Sequence, residues 1–254
     1  MATIPTGRFV WFEYVAKDPS KAQAFFGELF HWKTQSVPMP QGAYTMIAID
    51  GQTIGGYTPT PEGAPAKAFW LSHLQVANAQ ETAGKVKAQG GKVMKEPFKV
   101  GDVGTMAVVL DPLGGSFALW QPNKAEGTGD YKGQPGHFVW NELTTENPDK
   151  SIAFYQAIGG FEHEKMEMGA QGTYHVLNSG GQGRAGVMKS PTAGVPQNWM
   201  PYVQVASADQ TADKAKRLGA TIIMPATSIE GVGKLAIFAD PLGATLGVLQ
   251  PAPR

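Results

Sequence analysis

Two carboxylates stand out by their setting. Glu13 follows Trp11 by two residues and Glu142 follows Trp140 by two, within Gly7-Arg8-Phe9-Val10-Trp11-Phe12-Glu13 and Gly136-His137-Phe138-Val139-Trp140-Asn141-Glu142. Alternate residues of a strand share a face, so each carboxylate is expected beside an indole on an aromatic face. Burying it unpaired is costly. That cost raises the pKa and suits the group to act as a general base. The alternative is a glutamate hydrogen-bonded within its sheet, where it fixes register. Both readings stand. Other motifs carry less. No His-Glu-x-x-His spacing occurs, and the Gly-rich stretch 180–186 lacks Gly-Lys-Ser/Thr, so it reads as a hairpin turn.

The elements that must position these residues occur twice. Asp111-Pro112-Leu113-Gly114 returns as Asp240-Pro241-Leu242-Gly243, an offset of 129 (240 − 111) that also relates the two Trp-x-Glu phrases. The period is too long for a solenoid, so each copy is a whole domain. The spacing predicts a strand at 8–15 and then a helix opened by Asp18-Pro19 or Asn147-Pro148, the first residue capping and proline suiting the first turn. Ala22, Phe25, Phe26 and Leu29 make one apolar stripe, matched by Ser151, Phe154, Tyr155 and Ile158. Strands are expected at 44–49, 55–58 and 69–76. Asn78 to Glu81 and Ser207 to Gln210 have capping-box spacing, and their helices stop at Gly90 and Gly219. Hairpins at 105–110 with 116–121, and at 234–239 with 245–250, turn on Asp-Pro-Leu-Gly. Each copy thus reads β-α-β-β-β twice, with domains at 8–122 and 137–251 and a linker at 123–136.

Composition narrows the partners. The chain of 254 residues has 21 basic and 21 acidic residues, so it lacks the charge expected of a nucleic-acid binder. It has no cysteine, hence no disulfide, thiolate metal site or Cys nucleophile. No apolar run reaches membrane-spanning length and the start does not read as a signal peptide. The expectation is a cytoplasmic protein, with neither nucleic acid nor membrane as partner.

The doubled βαβββ unit, a helix carrying Ala24-Phe25-Phe26 or Ala153-Phe154-Tyr155, and a last hairpin on Asp-Pro-x-Gly together resemble the vicinal oxygen chelate superfamily of glyoxalase I, bleomycin-resistance proteins and extradiol dioxygenases. The Trp-x-Glu opening is also similar to tandem glyoxalase-like proteins loosely labelled hydroxylases or antigens. The resemblance covers 8–122 and 137–251. It implies an α+β fold of two tandem glyoxalase-like domains, each a pair of βαβββ units forming a curved mixed sheet around a cleft.

In that superfamily metal ligands come from the first and fifth strands (His or Gln) and from the fourth and eighth (Glu). The eighth-strand position, four residues after the turn glycine, holds Ala118 and Gly247 here. The first-strand position holds Trp11 and Trp140, and the fifth falls near Leu71 and Met200. None is a metal donor, and a catalytic site needs about three. No cofactor is therefore expected, with Glu13 and His73 the weak candidates should a divalent metal bind. The resemblance puts Glu13 and Glu142 on the cleft face, with His73 and its counterpart Tyr202 facing likewise. Trp11, Trp120 and Trp140 are expected to project into the clefts, where indoles stack planar or cationic ligands. Trp70 and Trp199 flank the fifth strands. Ala118 and Gly247 are expected to leave space there, which favours an organic ligand.

The expected function is a glyoxalase/bleomycin-resistance-like protein binding a small organic molecule in aromatic-lined clefts without the usual metal. The alternative is a lyase/isomerase or oxygenase-like enzyme acting on a small carbonyl substrate, with Glu13 and Glu142 as base or metal ligand. A structural partner protein with filled clefts is a third reading. The chain is expected to be a monomer or homodimer.

Overall fold

The structure is a computed structural model that describes residues 5–39, 42–61, 67–124, 134–169, 172–192, 194 and 196–253. The first copy runs β1 (Arg8–Ala16), α1 (Ser20–Phe30), β2 (Lys33–Met39), β3 (Gly42–Ile49) and β4 (Gln52–Pro59). It continues with β5 (Phe69–Gln75), α2 (Ala79–Ala88), β6 (Lys92–Val100), β7 (Gly104–Leu110) and β8 (Ser116–Pro122). The second repeats this as β9 (Phe138–Thr145), α3 (Pro148–Gly159), β10 (Glu162–Glu167), β11 (Thr173–Ser179) and β12 (Gln182–Lys189). It ends with β13 (Asn198–Gln204), α4 (Ala208–Arg217), β14 (Thr221–Ile229), β15 (Gly233–Ala239) and β16 (Thr245–Pro251). The strands make two eight-stranded sheets, ordered β2-β3-β4-β1-β5-β8-β7-β6 and β10-β11-β12-β9-β13-β16-β15-β14. β1 pairs β4 in parallel, as β5 does β8, β9 does β12 and β13 does β16, while consecutive strands such as β3 and β4 run antiparallel. This is the predicted α+β fold of two tandem domains. The predicted linker lies mostly outside the described residues.

Packing divides the chain into two compact units, and each copy contributes one half to each. Unit one takes 1–10, 71–129 and 140–199; unit two takes 11–70, 130–139 and 200–254. In unit one, Leu74, Val76, Ala83 and Val86 of the first copy share one buried cluster with Ile152, Phe154, Tyr155 and Trp199 of the second. Small side chains on α2 admit the larger ones of α3, which is how apolar stripes interdigitate. In unit two, Phe26 meets Tyr14 edge-on at 5.6 Å, and Phe25 meets Phe238 of the other copy at 6.1 Å.

The repeated turn phrase also holds these halves together. Asp111 Oδ1 accepts the N–H groups of Leu113 and Gly115, both at 2.9 Å, and Asp240 Oδ1 those of Leu242 and Ala244 at 2.8 and 3.0 Å. Both carboxylates are buried, and each receives a phenol from the opposite copy. Tyr155 on α3 donates to Asp111 at 2.8 Å, and Tyr14 on β1 donates to Asp240 at 2.5 Å. The two tyrosines occupy non-equivalent positions, Phe26 and Leu143 being their counterparts. The same bond is therefore reached by two routes.

Helix starts follow the predictions with one correction. Asn147 caps α3, accepting from Lys150 N–H at 3.1 Å, and Asn78 and Ser207 cap α2 and α4. Asp18 does not cap α1. The first helical bond, Gln23 N–H to a carbonyl at 2.9 Å, ends on Pro19, so α1 starts one residue later than predicted, and Asp18 accepts from Ser20, its N–H at 3.0 Å.

Candidate functional site

Glu13 on β1 is in register with Gly56 on β4, and Glu142 on β9 with Gly186 on β12. The strands beyond, β3 and β11, carry Tyr44 and Tyr174. A Cβ on either glycine would overlap the tyrosine hydroxyl. The missing side chain lets each phenol cross its neighbouring strand and reach the carboxylate.

In unit two, the Tyr44 hydroxyl donates to Glu13 Oε2 at 2.6 Å and the Thr58 hydroxyl donates to Oε1. Trp11 Nε1–H is shared between Glu13 Oε2 at 3.1 Å and the Tyr44 oxygen at 3.0 Å. In unit one, Tyr174 donates to Glu142 Oε2 at 2.9 Å and Trp140 Nε1–H to the Tyr174 oxygen at 2.8 Å. Met188 stands where Thr58 stands, so that hydroxyl is particular to unit two.

Both carboxylates are 7% exposed, while the indoles and phenols around them are half-buried. Burial pushes Glu13 above the usual carboxylate range, and the bonds from Thr58, Tyr44 and Trp11 pull against it. Burial first, and then the neighbouring carboxylate, hold Tyr44 and Tyr174 well above the ordinary phenol range. Both therefore remain O–H donors. Glu13 has about four acceptor positions. Its three donors leave about one for an N–H or O–H of a ligand.

Parallel register places His73 directly beside Ala118, and Tyr202 beside Gly247. This corrects the fifth-strand count by two residues: His73 and Tyr202, not Leu71 and Met200, adjoin the eighth-strand positions. Counting along the chain does not reveal cross-strand register. The space expected at these positions is also corrected. Ala118 is fully buried, and the Tyr202 ring lies where a side chain on Gly247 would be. His73 is 4% exposed, its Nε2 lacks a protein partner, and burial pushes its pKa down to about 3, so it is neutral. The half-buried Trp120 ring covers Gly104. Trp70 and Trp199 belong to the core; Trp199 Nε1–H donates to Tyr155 at 2.8 Å, while Trp70 faces Phe26, which has no hydroxyl.

The candidate residues sort between the units. Trp11, Glu13, Tyr202 and Gly247 belong to unit two, and His73, Ala118, Trp120, Trp140 and Glu142 to unit one. Glu13 and His73, the weak metal candidates, thus fall in different units. Among the described residues no group of three or more His, Cys, Asp or Glu side chains is arranged to hold a metal. The positions that would supply ligands carry Trp11, Trp140, His73, Tyr202, Ala118 and Gly247. Such a donor set does not fit a resident catalytic metal.

Tyr44, Tyr174, Gly56, Gly186 and Thr58 have no site role in the sequence reading. A signal exists in Gly42-Ala43-Tyr44 and Gly172-Thr173-Tyr174, but these lie 130 residues apart (174 − 44), one more than the main offset. Elsewhere in unit two a cavity of about 360 Å³ opens at the start of α1, lined by Ala16, Lys17, Asp18, Lys21, Ala68 and Leu242. Counterparts of Ala16 and Ala68 are Thr145 and Gln197; Gln197 donates to Asp111. Three charged side chains, Lys17, Asp18 and Lys21, and three apolar ones line this opening.

Residues 8–119 and 134–248 each match the family model described as Glyoxalase/Bleomycin resistance protein/Dioxygenase superfamily. The chain is 37% identical over 248 residues to a Mycobacterium bovis protein named "Putative glyoxylase CFP32", covering 96% of this chain and 95% of that one. It is 28% identical over 267 residues to the anthracycline biosynthesis protein DnrV of Streptomyces peucetius, covering 98% and 95%. Among solved structures it resembles the Mn(II)-bound glyoxalase from Novosphingobium aromaticivorans, with a TM-score of 0.66 at 16% identity over 97% of this chain and 82% of that one.

Proposed function

The chain belongs to the glyoxalase/bleomycin resistance protein/dioxygenase superfamily, matched once in each copy, and from that premise we propose that it binds a small planar organic molecule at its two Trp–Tyr–Glu clusters without the usual catalytic metal. The observation carrying this reading is the doubled cluster: in each copy a half-buried indole donates to a half-buried phenol, which in turn donates to a carboxylate. The aromatic pair offers a flat π surface. The carboxylate orients a ligand through its N–H or O–H. The naming of one relative for anthracycline biosynthesis supports an aromatic ligand.

The test is a tryptophan-fluorescence titration with a hydroxyanthraquinone such as alizarin. Trp11→Phe and Trp140→Phe together should weaken binding about fivefold or more, from lost stacking of about 1 kcal/mol. Unchanged affinity in the double variant overturns the proposal.

The raised pKa of Glu13 favours a second reading. A buried carboxylate with a raised pKa can take a proton from a carbon beside a carbonyl, the step of a lyase or isomerase. On that reading Glu13→Gln and Glu142→Gln abolish turnover of a small carbonyl compound while binding persists.

A further inference from the structure

We propose that the cavity at the start of α1 is a second ligand site, taking a small organic monocarboxylate with an apolar body. It lies in unit two and has a volume of about 360 Å³, within the range of about 300–1,000 Å³ usual for small-molecule sites. Its floor is apolar: Ala16 and Ala68 are buried and Leu242 is half-buried. Its rim is cationic. Lys17 and Lys21 line it, both exposed, and the Lys67 side chain lies across Gly243, next along the chain to Leu242. None of these three lysines forms an ion pair among the described residues, whereas Lys85, Lys87, Lys214 and Lys234 each do. Asp18 is the carboxylate on the lining, and it is turned to the helix, accepting from Ser20 N–H at 3.0 Å. Three cations against one carboxylate leave the rim positive. The first turn of α1 adds to this, since it has neither a side-chain cap nor an acidic residue to offset the helix dipole.

The second copy shows the same place filled. Thr145, Ser151 and Gln197 stand where Ala16, Ala22 and Ala68 do. The Gln197 carboxamide accepts from the Ser151 hydroxyl at 3.3 Å and donates to Asp111, and the Ser151 and Thr145 hydroxyls are 3.0 Å apart. At the rim, Glu146 and Pro196 replace Lys17 and Lys67. Asn147 caps α3 and Asp149 lies in its first turn. An apolar floor and a cationic rim therefore occur together in the first copy and are both absent from the second. Such a floor gives an inorganic anion nothing to bury. A carboxylate on a ring or branched chain rests its apolar part on Ala16, Ala68 and Leu242 and sets its charge among the lysines. Ala16 is three residues from Glu13 and so lies on the opposite face of β1 from Trp11 and Glu13. The cavity is thus separate from the Trp–Tyr–Glu cluster of its unit.

The test is titration of the isotope-labelled full chain with sodium benzoate, followed by heteronuclear NMR, with uncharged benzamide and inorganic phosphate compared at equal ionic strength. Saturable shifts are expected at the amides of Ala16, Lys17, Ala68 and Leu242 and not at the indole N–H groups of Trp11 and Trp140. Benzamide and phosphate should each bind about fivefold more weakly than benzoate, or worse. Lys17→Gln combined with Lys21→Gln, both at exposed positions, should weaken benzoate about fivefold or more. Ala68→Gln, which installs the residue of the second copy, should do the same by filling the floor. Alizarin binding should be unchanged in both variants. Benzoate affinity unchanged in the double lysine variant, or benzamide or phosphate binding as tightly as benzoate, overturns the proposal.

Discussion

Tyr44 and Tyr174 show how much of the site depends on a residue that has no side chain. Each phenol lies over a glycine, Gly56 or Gly186, and donates to a carboxylate two strands away. Tyr44→Phe leaves one buried carboxylate short of a donor, and urea unfolding should report a loss of about 1–3 kcal/mol. Gly56→Ala should cost more, because its Cβ displaces the ring as well. His73 gives a pH prediction. It stays neutral when folded, with a pKa of about 3, and takes up a proton near pH 6.5 once unfolded. Its contribution to stability is complete above pH 6.5 and is lost as pH falls through about 3. His73→Leu should flatten the acid limb of the stability curve, by up to about 1.4 kcal/mol per pH unit. Trp-x-Glu was legible because its two halves are adjacent in the chain and repeat at one offset. The tyrosines were not, since they lie 31 and 32 residues from their carboxylates and a one-residue difference between copies breaks the offset.

Where elements begin and end, the two copies act as controls for each other. α1 stops with His31 in the left-handed region at φ 62°, whereas α3 stops with Gly160 at φ 66°. A β-carbon there costs about 1–2 kcal/mol, so His31→Gly should raise the melting temperature while the reverse change, Gly160→His, lowers it. The Tyr–Asp bonds predict a matched pair of losses. Tyr155→Phe and Tyr14→Phe should each destabilise by about 1–3 kcal/mol, since each leaves a buried carboxylate oxygen without that donor. Strands with apolar or aromatic runs between turn residues were legible, as were three of the four helix caps. The edge strands β2, β6, β10 and β14 were not individually legible, because one-sided pairing leaves them largely exposed and polar and Pro38, Pro97 and Pro225 interrupt three of them. The cap of α1 was missed because Asp-Pro and Asn-Pro look alike in sequence, whereas the first helical carbonyl belongs to Pro19 in one copy and Asn147 in the other.

For the whole molecule, the repeat was legible but the composition of the packed units was not. Each unit combines a half of one copy with a half of the other, and no local pattern encodes which faces meet. Copy one expressed alone should therefore expose apolar surface and self-associate in light scattering, while co-expression with copy two should restore a monodisperse complex. The proposed binding without the usual metal, which the turn glycine first suggests, concerns both copies at once. Its most direct test is ligand binding in the presence of a chelator. Alizarin affinity should be the same in excess EDTA as after addition of Mn(II) or Fe(II). Binding that vanishes in EDTA and returns with Mn(II) or Fe(II) would contradict the account.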